Sequence, residues 1–172
     1  MAPDPDLTAS VAAVRALFGA AACSCALVDA EGSSLTYVAA DGEGAAEIVG
    51  VVLPVGRGIA GWAVMSGQPI AVRDVRADPR FARDVAEATH YVPTSLLAAP
   101  LFDDEGEPLG VLSVLDPGVE ESSEWTLAVL GTLASQVAAL VCVVRRAPDA
   151  AEKSRLEALA RRVLEATEDY RR

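Results

Sequence analysis

The first spacing that could do chemistry is Gly56, Gly58 and Gly61, a G-x-G-x-x-G that follows an apolar run at Val49 to Val55. Glycines placed so at a helix N-terminus free backbone N–H groups to cradle phosphate, the geometry of a dinucleotide site. The helix that would follow has only about eight residues before Gln68-Pro69, whereas a parallel βαβ crossover needs a dozen or more. The glycines therefore read as a turn that lets a short helix lie close to a sheet.

Cys23 and Cys25 stand two apart in a strand-like run, and Cys142 and His90 complete a set of four potential zinc ligands. No C-x-x-C or H-x-x-x-H spacing accompanies them, and free cysteine commonly packs as a small hydrophobe. His90 is the only histidine, so Ser-His-Asp or Cys-His catalysis would have to run through it. Its flanks, Ala88-Thr-His-Tyr91, hold nothing like a nucleophile elbow. Haem ligation by His90 stands as an alternative to an ordinary polar contact. The expectation is a module without catalytic residues, metal site or resident cofactor.

Charge narrows the partners. The net charge is −11, with residues 150–172 slightly basic and residues 1–149 carrying eight basic against twenty acidic side chains. Such a body repels nucleic acid and anionic membranes. Five of the eight basic residues, Arg57, Arg73, Arg76, Arg80 and Arg83, fall close together, and arginine pairs bidentately with carboxylate or phosphate. A slightly favoured anionic ligand follows, although Asp74, Asp78 and Asp84 are equally available partners. Three cysteines do not make a disulfide framework, and Met-Ala-Pro-Asp-Pro-Asp at the start has no charged-then-apolar leader, so the cytoplasm is expected.

These residues need elements to hold them. Leu7, Val11, Val14 and Leu17/Phe18 recur at helical spacing, with Asp6 as N-cap and Gly19 as stop. Ala22 to Val28 and Ser34 to Ala39 form a hairpin around Gly32, and Ser95 to Phe102 with Pro108 to Leu115 form another around Gly106. Between them lie a strand at Val49 to Val55, a helix at Ile59 to Ser66, a strand at Pro69 to Arg73 and a helix near Arg80 to Thr89.

A long helix then runs from about Ser123 to Arg146, uncharged from Thr126 to Val144. Its length would suit a membrane span. However, Thr132, Ser135, Gln136 and Ala139 gather on one face, opposite Leu130, Leu133, Val137, Leu140 and Val144, which fits a helix shared between a core and a dimer partner. Ala147-Pro148-Asp149 breaks it. Asp149 with Glu152 has capping-box spacing, and Leu156, Leu159, Val163, Ala166 and Tyr170 offer a coiled-coil-like seam. Two parts are expected, residues 1–146 and a linker plus C-terminal helix over 147–172.

The stretch from Gly56 through Asp74 (G-R-G-I-A-G-W-A-V-M-S-G-Q-P-I-A-V-R-D), then Asp78-Pro-Arg-Phe81, Ser95-Leu-Leu-Ala-Ala-Pro-Leu101 and Gly110-Val-Leu-Ser-Val-Leu-Asp116, resembles the GAF domain family. The resemblance implies an α+β, helix–sheet–helix layered, GAF/PAS-like fold with a central antiparallel sheet of about six strands. The terminal helices would pack on one face and a ligand pocket would occupy the other. Trp62, Phe81, His90 and Tyr91 would then line that pocket, with Ser95, Leu97 and Ala99 alternating along its floor. The same side chains could equally fill a core.

Departures from the family patterns matter too. Residues 43–120 contain no cysteine, against the free methionine sulfoxide reductase and bilin-binding branches, and the chain has no asparagine, against the cyclic-nucleotide pattern. The resemblance implies a regulatory small-molecule sensor acting through a homodimer, with a ligand-free dimerisation scaffold as the alternative.

Overall fold

The computed structural model describes residues 4–118 and 124–146, together with helical positions 154–155, 157–159 and 161. Contacts group the chain into two compact units, residues 1–140 and 141–172.

The first helix, α1 (Pro5–Phe18), starts one turn of logic earlier than its apolar pattern suggests. Asp4, not Asp6, is the N-cap: its Oδ1 accepts the backbone N–H groups of Asp6 and Leu7 at 3.0 and 2.9 Å. Pro5 explains the shift, because proline has no N–H to satisfy and its fixed φ suits the first helical position. Gly19 closes the helix in the left-handed region, and Leu7, Val11, Val14 and Phe18 form its buried stripe.

Two hairpins supply the middle of the sheet. Strands β1 (Ala22–Val28) and β2 (Ser34–Gly42) are joined by a turn in which the Asp29 carboxylate accepts hydrogen bonds from Ser33 and Ser34. Those bonds hold its carboxyl well below the usual carboxylate range. A short helix α2 (Ala45–Ile48), absent from the periodicity reading, leads to β3 (Val52–Pro54). Helix α3 (Gly58–Ser66) and strand β4 (Ile70–Val72) follow.

A turn at 78–81, held by Asp78 accepting the backbone N–H of Arg80 and Phe81, delays helix α4 to Arg83–Ala88. Strands β5 (Leu96–Phe102) and β6 (Pro108–Leu115) form the second hairpin. The six strands run β3-β2-β1-β6-β5-β4, and every neighbouring pair is antiparallel.

The G-x-G-x-x-G segment is the expected close-packing turn. A Cβ at Gly61 would stand 2.8 Å from the backbone nitrogen of Gly56, so α3 can fold back on its own entry loop only with glycine there. Ile59, Ala60, Ala63 and Val64 of α3 pack with Ala26, Val28, Leu35, Leu96, Ala98 and Val111 in one core cluster. Strand parity sends Cys23, Cys25, Leu97, Ala99, Leu112 and Val114, all essentially inaccessible, to the other face.

The last long helix, α5 (Glu124–Arg146), buries Thr126, Leu130, Ala134, Val137 and Ala138 and leaves Thr132, Ser135, Gln136 and Ala139 exposed. Thr132 and Ser135 return their hydroxyls to the carbonyls of Ala128 and Gly131 at 3.0 and 3.1 Å. By length and composition, its residues Glu124–Arg145 could cross a membrane, with mean hydropathy 2.2. In the second unit Leu159 is exposed. The linker at 147–149, Glu152 and the rest of the seam, Leu156, Val163, Ala166 and Tyr170, lie outside the described residues.

Candidate functional site

Side-chain size at one register of the sheet opens a cavity. Ser24 of β1 faces Ala40 of β2 on one side and Ser113 of β6 on the other, and Ser113 faces Ala98 of β5. Four small residues stand in a row across four strands, and over three of them, Ser24, Ala40 and Ser113, lies a hollow that the larger neighbours Leu96, Leu115 and Tyr37 also line. Ile48, Ile59, Phe81 and Val85 roof it, while Glu43, Gly44, Thr89, Tyr91 and Pro93 form the rim.

The resulting cavity measures about 100 Å³. That exceeds the roughly 10–15 Å³ needed for one water. It falls below the roughly 300–1,000 Å³ typical of sites for drug-sized ligands. A compact molecule of a few non-hydrogen atoms is the natural occupant at this size.

Its polar groups are few. Ser113 is 3% exposed, lines the cavity, and its Oγ has no hydrogen-bond partner. An unpaired buried hydroxyl costs about 1–3 kcal/mol, so its retention at the floor of a hollow marks the place where something else supplies the bond. Tyr37 also lines the hollow, and burial pushes its phenol up to about 12.

The rim is fastened by Asp116. Its Oδ1 accepts the backbone N–H groups of Thr94 and Ser95, each at 2.8 Å, and its other carboxylate oxygen accepts the Tyr91 hydroxyl. Burial, that hydrogen bond and the charges of Asp116 and Glu43 together push the Tyr91 phenol well above the usual tyrosine range. His90 and Asp116 are the non-glycine residues that adopt a positive φ among the described residues, 59° and 47°. His90 thus takes the left-handed conformation just before the segment Tyr91–Ser95, and Asp116 takes it just after β6, at the residue to which that segment is bound.

Of the seven expected lining residues, Phe81 and Tyr91 reach the cavity; Trp62, His90, Ser95, Leu97 and Ala99 do not. Trp62 lies on the outer face of α3, 39% exposed, because the inner face of that helix is taken by Ile59, Ala60, Ala63 and Val64. His90 is exposed at the turn after α4, too far out for its ring to line the cavity. Along β5 the alternation is off by one: Leu96 lines the cavity and Ala98 faces it, whereas Leu97 and Ala99 pack beneath the sheet. Ser95 precedes the strand and is bound to Asp116.

The clustered arginines are elsewhere as well. None lines the cavity; Arg57 pairs with Asp84, and Arg80 grips Asp78 through Nε and an Nη at 2.9 and 2.6 Å. Glu43 is the charged residue that does line it. The slight preference for an anion therefore has no counterpart in the cavity wall. Among the described residues no group of three or more histidine, cysteine, aspartate or glutamate side chains could hold a metal ion.

The cavity also extends beyond the segments from which it was expected, since β1 and β2 supply much of the floor. Cys23 borders the cavity, but strand parity turns its side chain to the packed face, and desolvation pushes its ionisation far up, which disfavours the nucleophilic thiolate. Ser24 and Ser113 are among the lining residues that the sequence reading does not place there. Their signal was a hydroxyl in the middle of an apolar strand, in Ala-Cys-Ser-Cys-Ala and Val-Leu-Ser-Val-Leu.

Known proteins share this arrangement. A dual 3',5'-cyclic-AMP and -GMP phosphodiesterase 11 of Drosophila melanogaster is 36% identical over 61 residues, 36% of this chain and 4% of that protein. The chain thus spans a small fraction of the length of the curated relatives it matches. The GAF domain of a phosphoenolpyruvate-protein phosphotransferase from Coxiella burnetii has a TM-score of 0.71 at 25% identity, covering 81% of this chain and 82% of that one.

A free methionine-R-sulfoxide reductase from Neisseria meningitidis, solved with its substrate, is similar at a TM-score of 0.68 and 26% identity, covering 83% of this chain and 80% of that one. GAF domains are small-molecule sensor and regulatory modules, and the GAF domain family pattern matches residues 4–141. With its six-stranded antiparallel sheet and the cavity above it, the chain belongs to the GAF domain family.

Proposed function

We propose that this chain is a cytoplasmic sensor module that binds a compact small molecule in the cavity and transmits its occupancy through a helical homodimer. The observation that carries the binding half is the unpaired Ser113 Oγ at the cavity floor. A ligand-free scaffold gains nothing from a hydroxyl there, since alanine would fit the same strand without an unsatisfied group. The regulatory reading, rather than a catalytic one, is supported by the protonated state that burial favours for the Cys23 thiol. The described cysteines are all free, which suits a reducing compartment.

The cavity, about 100 Å³, is small beside the cyclic nucleotides named for the phosphodiesterase relatives, which favours a more compact occupant. For the transmitting half, the exposed face of α5 combines small residues with hydroxyls already bonded to the helix backbone. Two copies of such a face can approach closely without stranding a donor. Val137 is buried within its own chain, so the interface is better probed at Ser135.

Native mass spectrometry of freshly purified protein at micromolar concentration tests both halves. We expect a dimer carrying a small additional mass, with Ser135→Glu shifting the population to monomer and Ser113→Ala losing the added mass. A monomeric wild type that carries nothing, and to which no small molecule can be added, overturns the reading.

A further inference from the structure

We infer that the cavity selects a small organic ammonium ion, one with a hydroxyl at its other end. This rests on the reading of the cavity as a ligand site and adds the chemical class of the ligand.

Three observations converge on that class. First, the charge in the wall is a carboxylate. Glu43 lines the cavity at its rim, and neither a hydrogen bond nor an ion pair engages its side chain among the described residues. The second carboxylate of the rim, Asp116, faces the same Tyr91 that feels the charge of Glu43, so the opening has negative potential. Among the described residues no arginine or lysine lines the cavity to offset it.

Second, the wall is rich in aromatic side chains. Tyr37, Phe81 and Tyr91 come from three separate segments to surround a space of about 100 Å³. Aromatic rings attract a cation through their quadrupole, and alkylated ammonium ions exploit this because they shed water more easily than a bare charge. A carboxylate or phosphate would instead meet the negative faces of the rings and a carboxylate at the rim.

Third, the floor demands a hydrogen bond. Ser113 Oγ, 3% exposed and unpartnered, lies beside Ser24 on the neighbouring strand. A hydroxyl on the ligand can both donate to and accept from a serine, whichever way the serine hydroxyl turns. A cationic head towards Glu43 and the rings, a short alkyl spacer and a hydroxyl at the serine row would engage Glu43 and Ser113 together.

Choline is the probe of this chemistry, ethanolamine its smaller parent, and dimethylbutanol the carbon isostere of choline that lacks the charge. Dimethylbutyrate supplies an anion of similar shape. Binding is measured by NMR titration of the full chain, reading the amide shifts of β1 and β6. At least one of the two ammonium ions is expected to bind, and the better of them roughly ten-fold more tightly than dimethylbutanol.

Glu43→Gln, at an exposed rim position that leaves the core intact, should remove most of that advantage while dimethylbutanol binds as before. Ser113→Ala should weaken the ammonium ion and the alcohol alike. If dimethylbutanol or dimethylbutyrate binds as well as both ammonium ions, or if Glu43→Gln changes nothing, the ammonium class is overturned while the cavity remains a ligand site. If none of the four probes moves the β1 and β6 amides and Ser113→Ala is silent, both the class and the site reading fall.

Discussion

The two faces of the sheet are built from the same strands yet serve opposite ends. Beneath it, Cys23, Cys25, Leu97, Leu112 and Val114 are packed to near-zero exposure, with every position filled. Above it, the alternate positions Ser24, Ala40, Ala98 and Ser113 are small, and a hollow opens over three of them. A strand offers its two faces independently because successive side chains point opposite ways, so one face can be optimised for cohesion while the other is left underfilled. The hollow is tolerable because the packing beneath supplies the stability it forgoes.

The sharpest test of that division is to hollow the filled face. Leu112→Ala should destabilise the domain by about 2–5 kcal/mol, since it deletes a fully buried side chain from a tightly packed layer. Denaturant unfolding measures it, and a loss below about 1 kcal/mol would mean that the lower face is no better packed than the upper.

The rim is expected to respond less, and with a pH signature. Tyr91→Phe removes the hydrogen bond to Asp116 and should cost about 1–3 kcal/mol at neutral pH, as bonds to charged acceptors do. Tyr91 ionises at higher pH in the folded state than in the unfolded chain, so the unfolded chain gives up its proton first as pH rises. The tyrosine contribution is therefore complete below about pH 10 and declines above it. The gap between wild type and Tyr91→Phe should narrow in that alkaline range, read from unfolding curves at stepped pH. A gap independent of pH there would remove the Tyr91–Asp116 bond from the account.

The smallest effect has the opposite sign. Ser113→Ala should stabilise the empty domain by about 1 kcal/mol, because it deletes an unsatisfied buried hydroxyl while leaving the backbone of β6 untouched. Thermal unfolding of ligand-stripped protein reads the shift. A destabilised variant would show that the hydroxyl is already satisfied and that the upper face is not underfilled.

The sequence made the sheet, its hairpins and the close-packed glycine turn legible because each rests on a local rule: alternation, a left-handed turn residue, a helix too short to cross over. Parity within β5 was not legible. Leu96-Leu-Ala-Ala-Pro-Leu is apolar on both faces, so nothing in it distinguishes the cavity side from the packed side, and a slip of one residue exchanges them. Trp62 and His90 drew notice as large or titratable side chains, but whether they face inward depends on the rotation of α3 and the turn after α4. For the arginines the sequence leaves an anionic ligand and the neighbouring aspartates as equal alternatives, and the structure takes the second: Arg80 pairs with Asp78 two residues away, whereas Arg57 reaches Asp84 only through the fold.

Asp116 sets a clock. It pins Tyr91, Thr94 and Ser95 at the cavity rim, and both Asp116 and His90, which precedes that segment, have positive φ. On the proposed ligand-site reading, these bonds would brace one side of the cavity opening, and their parting would widen it. On that reading, weakening the pin at Asp116 should shorten the residence time of a bound molecule more than it changes the affinity of the inner wall, so the persistence of an occupied state would be tunable apart from the identity of its occupant.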